Sequence, residues 1–395
     1  MRRGTKIQKL KQALPGIVKD VRHYAKPRVK LHNEGLGDYY TEGYRSLNQR
    51  EWKGVRDTAY DFASWLKVYG YMAVTLGKHP VALTKSFVRY PWMASYLTVA
   101  NMLDRHKLGL RGKQLRYTQE QFYGVVHNSV DVIAKIIERD ENLNSPNNKR
   151  AAKLRAKTVM FDEMTPSIIM AGFPMLDWID IAMSPVCLPG EVDQNANIMY
   201  VDAAERMGLA ADVCPLPSAE VGCAIVDDYP QVGSSFITSS MPCDGSLGAA
   251  LFMDRYMKKL PSFTLTPPQR FNEPETNAYA VKDLKNCIRF IEETYDVKWD
   301  WDAFWKKAEE YNKTTQCMLD KWDVNCTPYP QVIGSALSLQ REYEFQTAAC
   351  LDPFMTKQDE KVTKMMLKGY EKDREADRRD YKYRAIVWCC PAHYY

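Results

Sequence analysis

The residues best suited to chemistry in this chain are cysteines that end short apolar segments. In Phe236-Ile237-Thr238-Ser239-Ser240-Met241-Pro242-Cys243-Asp244-Gly245, a buried strand delivers Cys243 onto a glycine-bearing turn before a helix. Cys214, in Ala211-Asp212-Val213-Cys214-Pro215, closes another short segment. Neither has the close Cys-x-x-Cys spacing of a zinc ribbon, so if they act together the fold must bring them together, as iron–sulfur sites with dispersed ligands require. Gly245 lets the backbone approach a cluster or substrate, and Asp244 and Ser246 can cap the helix that follows. The competing reading of each thiol is a buried packing residue, the commonest fate of reduced cysteine.

All ten cysteines lie at or beyond Cys187, so cysteine-borne chemistry belongs to the C-terminal half. Cys223, Cys287 and Cys317 fall on apolar helical faces and read as packing residues. Cys389 and Cys390 follow the apolar run Arg384-Ala385-Ile386-Val387-Trp388, another strand end, where neighbours in sequence cannot easily both ligate one cluster. There is no P-loop, no Gly-x-Gly-x-x-Gly and no Gly-x-Ser-x-Gly, which argues against ATP or dinucleotide binding by the common routes and against a serine hydrolase. The six histidines form no His-x-x-x-His pair, and His127 and His393 read as ordinary residues rather than zinc ligands.

The elements that must position these residues alternate in type. Thr158-Val159-Met160-Phe161 reads as a strand, and Thr165-Pro166-Ser167 as an N-cap with proline at the first helical position. Helices are expected over Asn195–Met207, Pro217–Asp227 and Ser246–Lys259, and strands over Ser234–Ser240 and Ser262–Leu265. Strands separated by helices imply an α/β fold: doubly wound, mainly parallel sheet with helices on both faces. Ligands of such sheets collect at the carboxyl ends of the strands, where Cys243 is expected.

Upstream, residues 36–110 are rich in Trp, Tyr and Met at helical intervals, with breaks at His79-Pro80 and Tyr90-Pro91. A long amphipathic helix from Tyr117 to Arg139 runs into the polar linker Asn142–Asn148. Downstream, helices are expected at Thr276–Tyr295, at Trp301–Lys321 with Asp300 or Asp302 as cap, at Ala336–Ala348, and at Lys357–Arg379 as a charged, solvated helix. The division that follows is a helical region over 1–150, an α/β domain over 151–270 carrying Cys214 and Cys243, and a helical segment over 271–395 leading into a second α/β unit that looks shortened.

Composition sets outer limits. With 395 residues, 45% hydrophobic and 26% charged, the chain is long enough for more than one core and resembles neither a disordered nor a membrane protein. Residues 1–30 hold ten Lys or Arg against Asp20, but a net charge of +5 with no accompanying motif argues against a nucleic-acid partner. The basic start lacks a secretory core, so a cytoplasmic location is expected.

Cys214, the helical Ser218-Ala219-Glu220-Val221-Gly222-Cys223 and the strand into Ser239-Ser240-Met241-Pro242-Cys243-Asp244-Gly245 resemble the 2-hydroxyacyl-CoA dehydratase and benzoyl-CoA reductase superfamily, of the 2-hydroxyglutaryl-CoA dehydratase D-component type. Pro166–Gly172 looks like its first helix and Glu273–Lys313 like its later helical pair, so the likeness covers roughly residues 155–390. The resemblance implies a [4Fe–4S] cluster on three cysteines, with Cys214 and Cys243 matching two ligands and Cys390, or its neighbour Cys389, the third. Gly245 and Ser246 would line the cofactor. It also implies a related dehydratase subunit, an ATP-hydrolysing iron–sulfur activator, an acyl-CoA substrate and a flavin in the complex. The activator injects one electron, the thioester carbonyl becomes a ketyl, the C2 hydroxyl leaves, and a base removes a C3 proton. Glu220, Asp244 and Glu191 are the candidates for that base nearby in sequence. Benzoyl-ring reduction and a non-catalytic assembly role are the alternatives.

Overall fold

The computed structural model describes residues 54–98, 112–162, 165–181, 197–240, 244–256, 260–268, 273–332 and 351–379, with a few single positions between. Cys243, Cys389, Cys390 and Glu191, the Ala336–Ala348 helix (Leu337 apart) and the late strand Arg384–Trp388 lie outside the described residues.

Four strands form one parallel sheet in the order β2-β1-β3-β4: β1 (Thr158–Phe161), β2 (Asp177–Asp180), β3 (Ser235–Ser239) and β4 (Ser262–Leu265). Met160 aligns with Ile179 on one side and Phe236 on the other, and Ile237 with Phe263. The chain winds outward from β1 to β2, then crosses to β3 and on to β4, which is the doubly wound pattern. Every β1 and β3 residue is buried, as central strands covered on both faces must be.

Strand periodicity sorts the apolar side chains onto two faces. Met160, Ile179 and Phe236 join a core with Ala219 and Cys223 of a preceding helix and with Val125, Ile133 and Ile136 of a long N-terminal one. Val159, Phe161 and Ile237 point the other way and pack with Phe173, Cys287 and Ile291. Full burial of each such large side chain stabilises the fold by roughly 1.5–3 kcal/mol.

The N-terminal helices are α1 (Gly54–Leu76), α2 (Pro80–Arg89) and α3 (Gly112–Arg139), with a 3-10 stretch Pro91–Thr98 after the break at Tyr90-Pro91. A short α4 (Lys149–Arg155) is capped by Asn148, which accepts from the Ala151 N–H at 3.1 Å, and leads directly into β1. Thus the helical region shares its core with one face of the sheet. Next come α5 (Ile198–Arg206), α6 (Pro215–Ile225) before β3, and α7 (Asp244–Tyr256) after it.

Beyond β4 stand α8 (Pro274–Tyr295), α9 (Trp301–Asn325) and α10 (Pro353–Glu375). Asp300 caps α9, its carboxylate accepting from the Ala303 N–H at 2.9 Å. Two expectations change here. Thr165-Pro166-Ser167 does not open an α-helix with proline at its first position: Pro166 is the N-cap of a 3-10 helix over Ser167–Gly172, whose last residue lies so close to Trp299 that a Cβ there would be 2.5 Å from its ring. The charged helix α10 is not merely solvated: Met355, Asp359, Val362 and Met366 are buried, and Asp359 pairs with the fully buried Lys321 of α9.

Candidate active site at the sheet's carboxyl edge

Strand order reverses between β1 and β3, and their carboxyl ends, Phe161-Asp162 and Ser239-Ser240, flank the place where ligands of such sheets bind. Helix α6 runs back toward the start of β3, so its N-terminus opens at that same edge. Cys214 is its N-cap, exposed, followed by a proline that needs no N–H partner in the first turn. Its carbonyl accepts from Ser218 through the hydroxyl at 2.9 Å and the backbone N–H at 3.3 Å, fixing the first turn.

Helix α7 starts five residues after β3 ends, with Gly245 half-buried and Ser246 buried in its first turn. It packs on α6 through Ala249 against Val221, and α5 joins through Ala204. The two helix N-termini therefore share one edge, where their unsatisfied N–H groups favour anionic ligands such as thiolates.

Five cysteines are described, and their settings differ. Cys223 and Cys287 are buried, and burial pushes the Cys287 thiol up to about 12. Burial likewise raises Cys317. Cys326 is exposed and stands at the C-terminal cap of α9. Cys214 alone of the five combines exposure with a helix N-terminus, which fits a sulfur ligand. No group of three or more His, Cys, Asp or Glu is arranged for a metal among the described residues.

Behind this edge is a set of buried acids. Asp162, immediately after β1, and Asp180, closing β2, are both buried, as is Glu220 in α6. The Tyr229 hydroxyl donates to Glu220 Oε1, and burial, with lesser help from Glu220 and Asp162, raises the phenol well above its usual range. Burial likewise pushes the Glu220 carboxyl up, against hydrogen bonds from Asp162 and Tyr229 that act in the other direction. Sequence reasoning noticed Glu220 but not Asp162 or Tyr229; an acid directly after a buried strand was the available sign.

A family model described as 2-hydroxyglutaryl-CoA dehydratase, D-component, matches residues 192–395. The chain belongs to this family. The dehydratase D-component match includes Cys214, Glu220, Cys243, Gly245, Ser246 and Cys390, and begins after β2. Strands β1 and β2 thus complete the D-component's sheet from outside the matched stretch, and β1 supplies one wall of the candidate site. Comparison with curated proteins gives no match. Among the described residues, no helix is long and apolar enough to cross a membrane.

Proposed function

We propose that this D-component chain is the iron–sulfur subunit of a 2-hydroxyacyl-CoA dehydratase, eliminating water from its substrate through a ketyl radical. The observation that carries this reading is the exposed Cys214 at the N-cap of α6, on the carboxyl edge of the parallel sheet and within the family match. Cys214, Cys243 and Cys390 would hold a [4Fe–4S] cluster, which supplies one-electron chemistry and an iron able to polarise a thioester or hydroxyl oxygen.

The chain's own contribution is electrostatic and steric. The N-termini of α6 and α7 place backbone N–H groups and partial positive charge beside an anionic centre. Gly245, without a Cβ, permits close backbone approach, and Ser246 is positioned in the first turn of α7. The buried β1 and β3 ends would keep water from the floor of such a site, which would strengthen polar interactions made there. A related subunit and an ATP-dependent electron donor complete the proposed system, with an acyl-CoA as substrate.

The test is anaerobic assay of the chain with its related subunit, activator and ATP against a panel of acyl-CoA thioesters. Enoyl-CoA formation from a 2-hydroxyacyl-CoA is expected. Reduction of benzoyl-CoA in its place would assign ring reduction, and no turnover of any thioester by a cluster-free chain would assign an assembly role.

A further inference from the structure

Glu220 lies about one and a half turns into α6, is 1% exposed, and accepts from Tyr229 at Oε1. Its Oε2 is buried with no donor among the described residues. The other side-chain partner of Glu220 is Asp162, also buried, whose backbone N–H is already committed to the Ile237 carbonyl at 3.0 Å. Two ionised carboxylates have no hydrogen to exchange, and buried together they repel, so a hydrogen bond between them requires that one keep its proton. Among the described residues, the titratable groups facing Glu220 are this Asp162 from the end of β1 and Tyr229 from the α6–β3 connection, while Asp180 at the end of β2 acts on Tyr229.

We infer that Glu220 and Asp162 share one proton and thereby clamp the Cys214-bearing helix to the carboxyl end of β1, making Glu220 a positioning residue of the site. Its role toward Cys214 rests on the proposed function above; the shared proton does not. Glu220 is 1% exposed, and the role inferred for it here is positional. Burial holds its carboxyl above the usual range, in keeping with a retained proton. Cys214 and Glu220 sit on one helix, whose Ala219 and Cys223 pack into the core beneath the sheet while Glu220 adds a polar contact at the end of β1.

Infrared difference spectroscopy of the full chain at pH 7 tests the proton. Wild type should show the carbonyl band of a buried protonated carboxyl, and Glu220→Gln should lose it; an unchanged band in Glu220→Gln overturns the inference. Asp162→Asn provides the same test from the other side and keeps it open if one variant fails to fold. Positioning is read by iodoacetamide alkylation of Cys214, followed by peptide mass spectrometry of iron-free protein. Glu220→Gln, which retains a hydrogen bond, should react within about twofold of wild type, and Glu220→Ala about fivefold or more differently, because thiol reactivity follows its local field. An unaltered rate in Glu220→Ala overturns the positioning role. Both readouts need no iron, so failure of wild type to bind a cluster would sink the proposed function while leaving the clamp standing.

Discussion

A Cβ built on Gly222 would lie 1.7 Å from the carbonyl oxygen of Tyr200, so α5 and α6 touch backbone to backbone. This contact sets the height of α6 on the sheet and therefore where its N-cap, Cys214, emerges. No side chain fits. Gly222→Ala must separate the two helices, and it is expected to cost about 3 kcal/mol or more, at the upper end of overpacking changes. Denaturant unfolding checks the magnitude; a loss below about 1 kcal/mol would mean that the helices part easily.

The buried pair of Lys321 and Asp359 joins α9 to α10 with both side chains fully enclosed. Removing one partner leaves an uncompensated charge in the interior, so Lys321→Met should destabilise by about 3–5 kcal/mol. Replacing both, as Lys321→Met with Asp359→Leu, should recover most of that loss, because desolvation of two charges is then avoided. Unfolding of the double variant at the midpoint of the single one would show that packing, not charge, holds these helices.

His127 is stacked between Tyr71, 3.8 Å away, and Phe354, 3.6 Å away, tying α1, α3 and α10 together. Burial depresses its pKa against the pull of Asp131, 3.5 Å from Nδ1, and of Asp352, with Lys67 adding to the depression. The folded state thus takes up this proton less readily than the unfolded chain, whose histidine titrates near 6.5. The contribution is fully present above about pH 6.5 and is lost as pH falls through the folded value. His127→Phe keeps the stack and should remove that acid-side decline from thermal unfolding curves; an identical pH profile in the variant contradicts the assignment.

Much of this fold was legible where one physical signal dominated. Thr158-Val159-Met160-Phe161, a short and largely apolar run, is β1 to the residue, and of the two candidate caps of α9, Asp300 and Asp302, Asp300 is the one that caps it. The edge strand β2 was not legible, because Asp177-Trp178-Ile179-Asp180 carries acids at both ends; Asp177 is held by Lys135 at 2.9 Å and by Arg139 from α3, 38 or more residues away. The same limit applies at the site. Cys214 could be picked out by its place before a helix, whereas the meeting of Glu220 with Asp162 depends on a strand crossing that no local spacing encodes. Asp359 read as one more solvated charge for the same reason: its partner is on another helix.

The proposed function stands on Cys214 as a ligand of an iron–sulfur cluster in this D-component. Anaerobic iron and acid-labile sulfide analysis, with an EPR spectrum of the reduced protein, tests it most directly when wild type is compared with Cys214→Ser and Cys243→Ala. Wild type should carry close to four iron and four sulfide per chain, as a [4Fe–4S] centre requires, and both variants should lose the cluster and its signal. A normal cluster retained in Cys214→Ser, or none in wild type, would contradict the account.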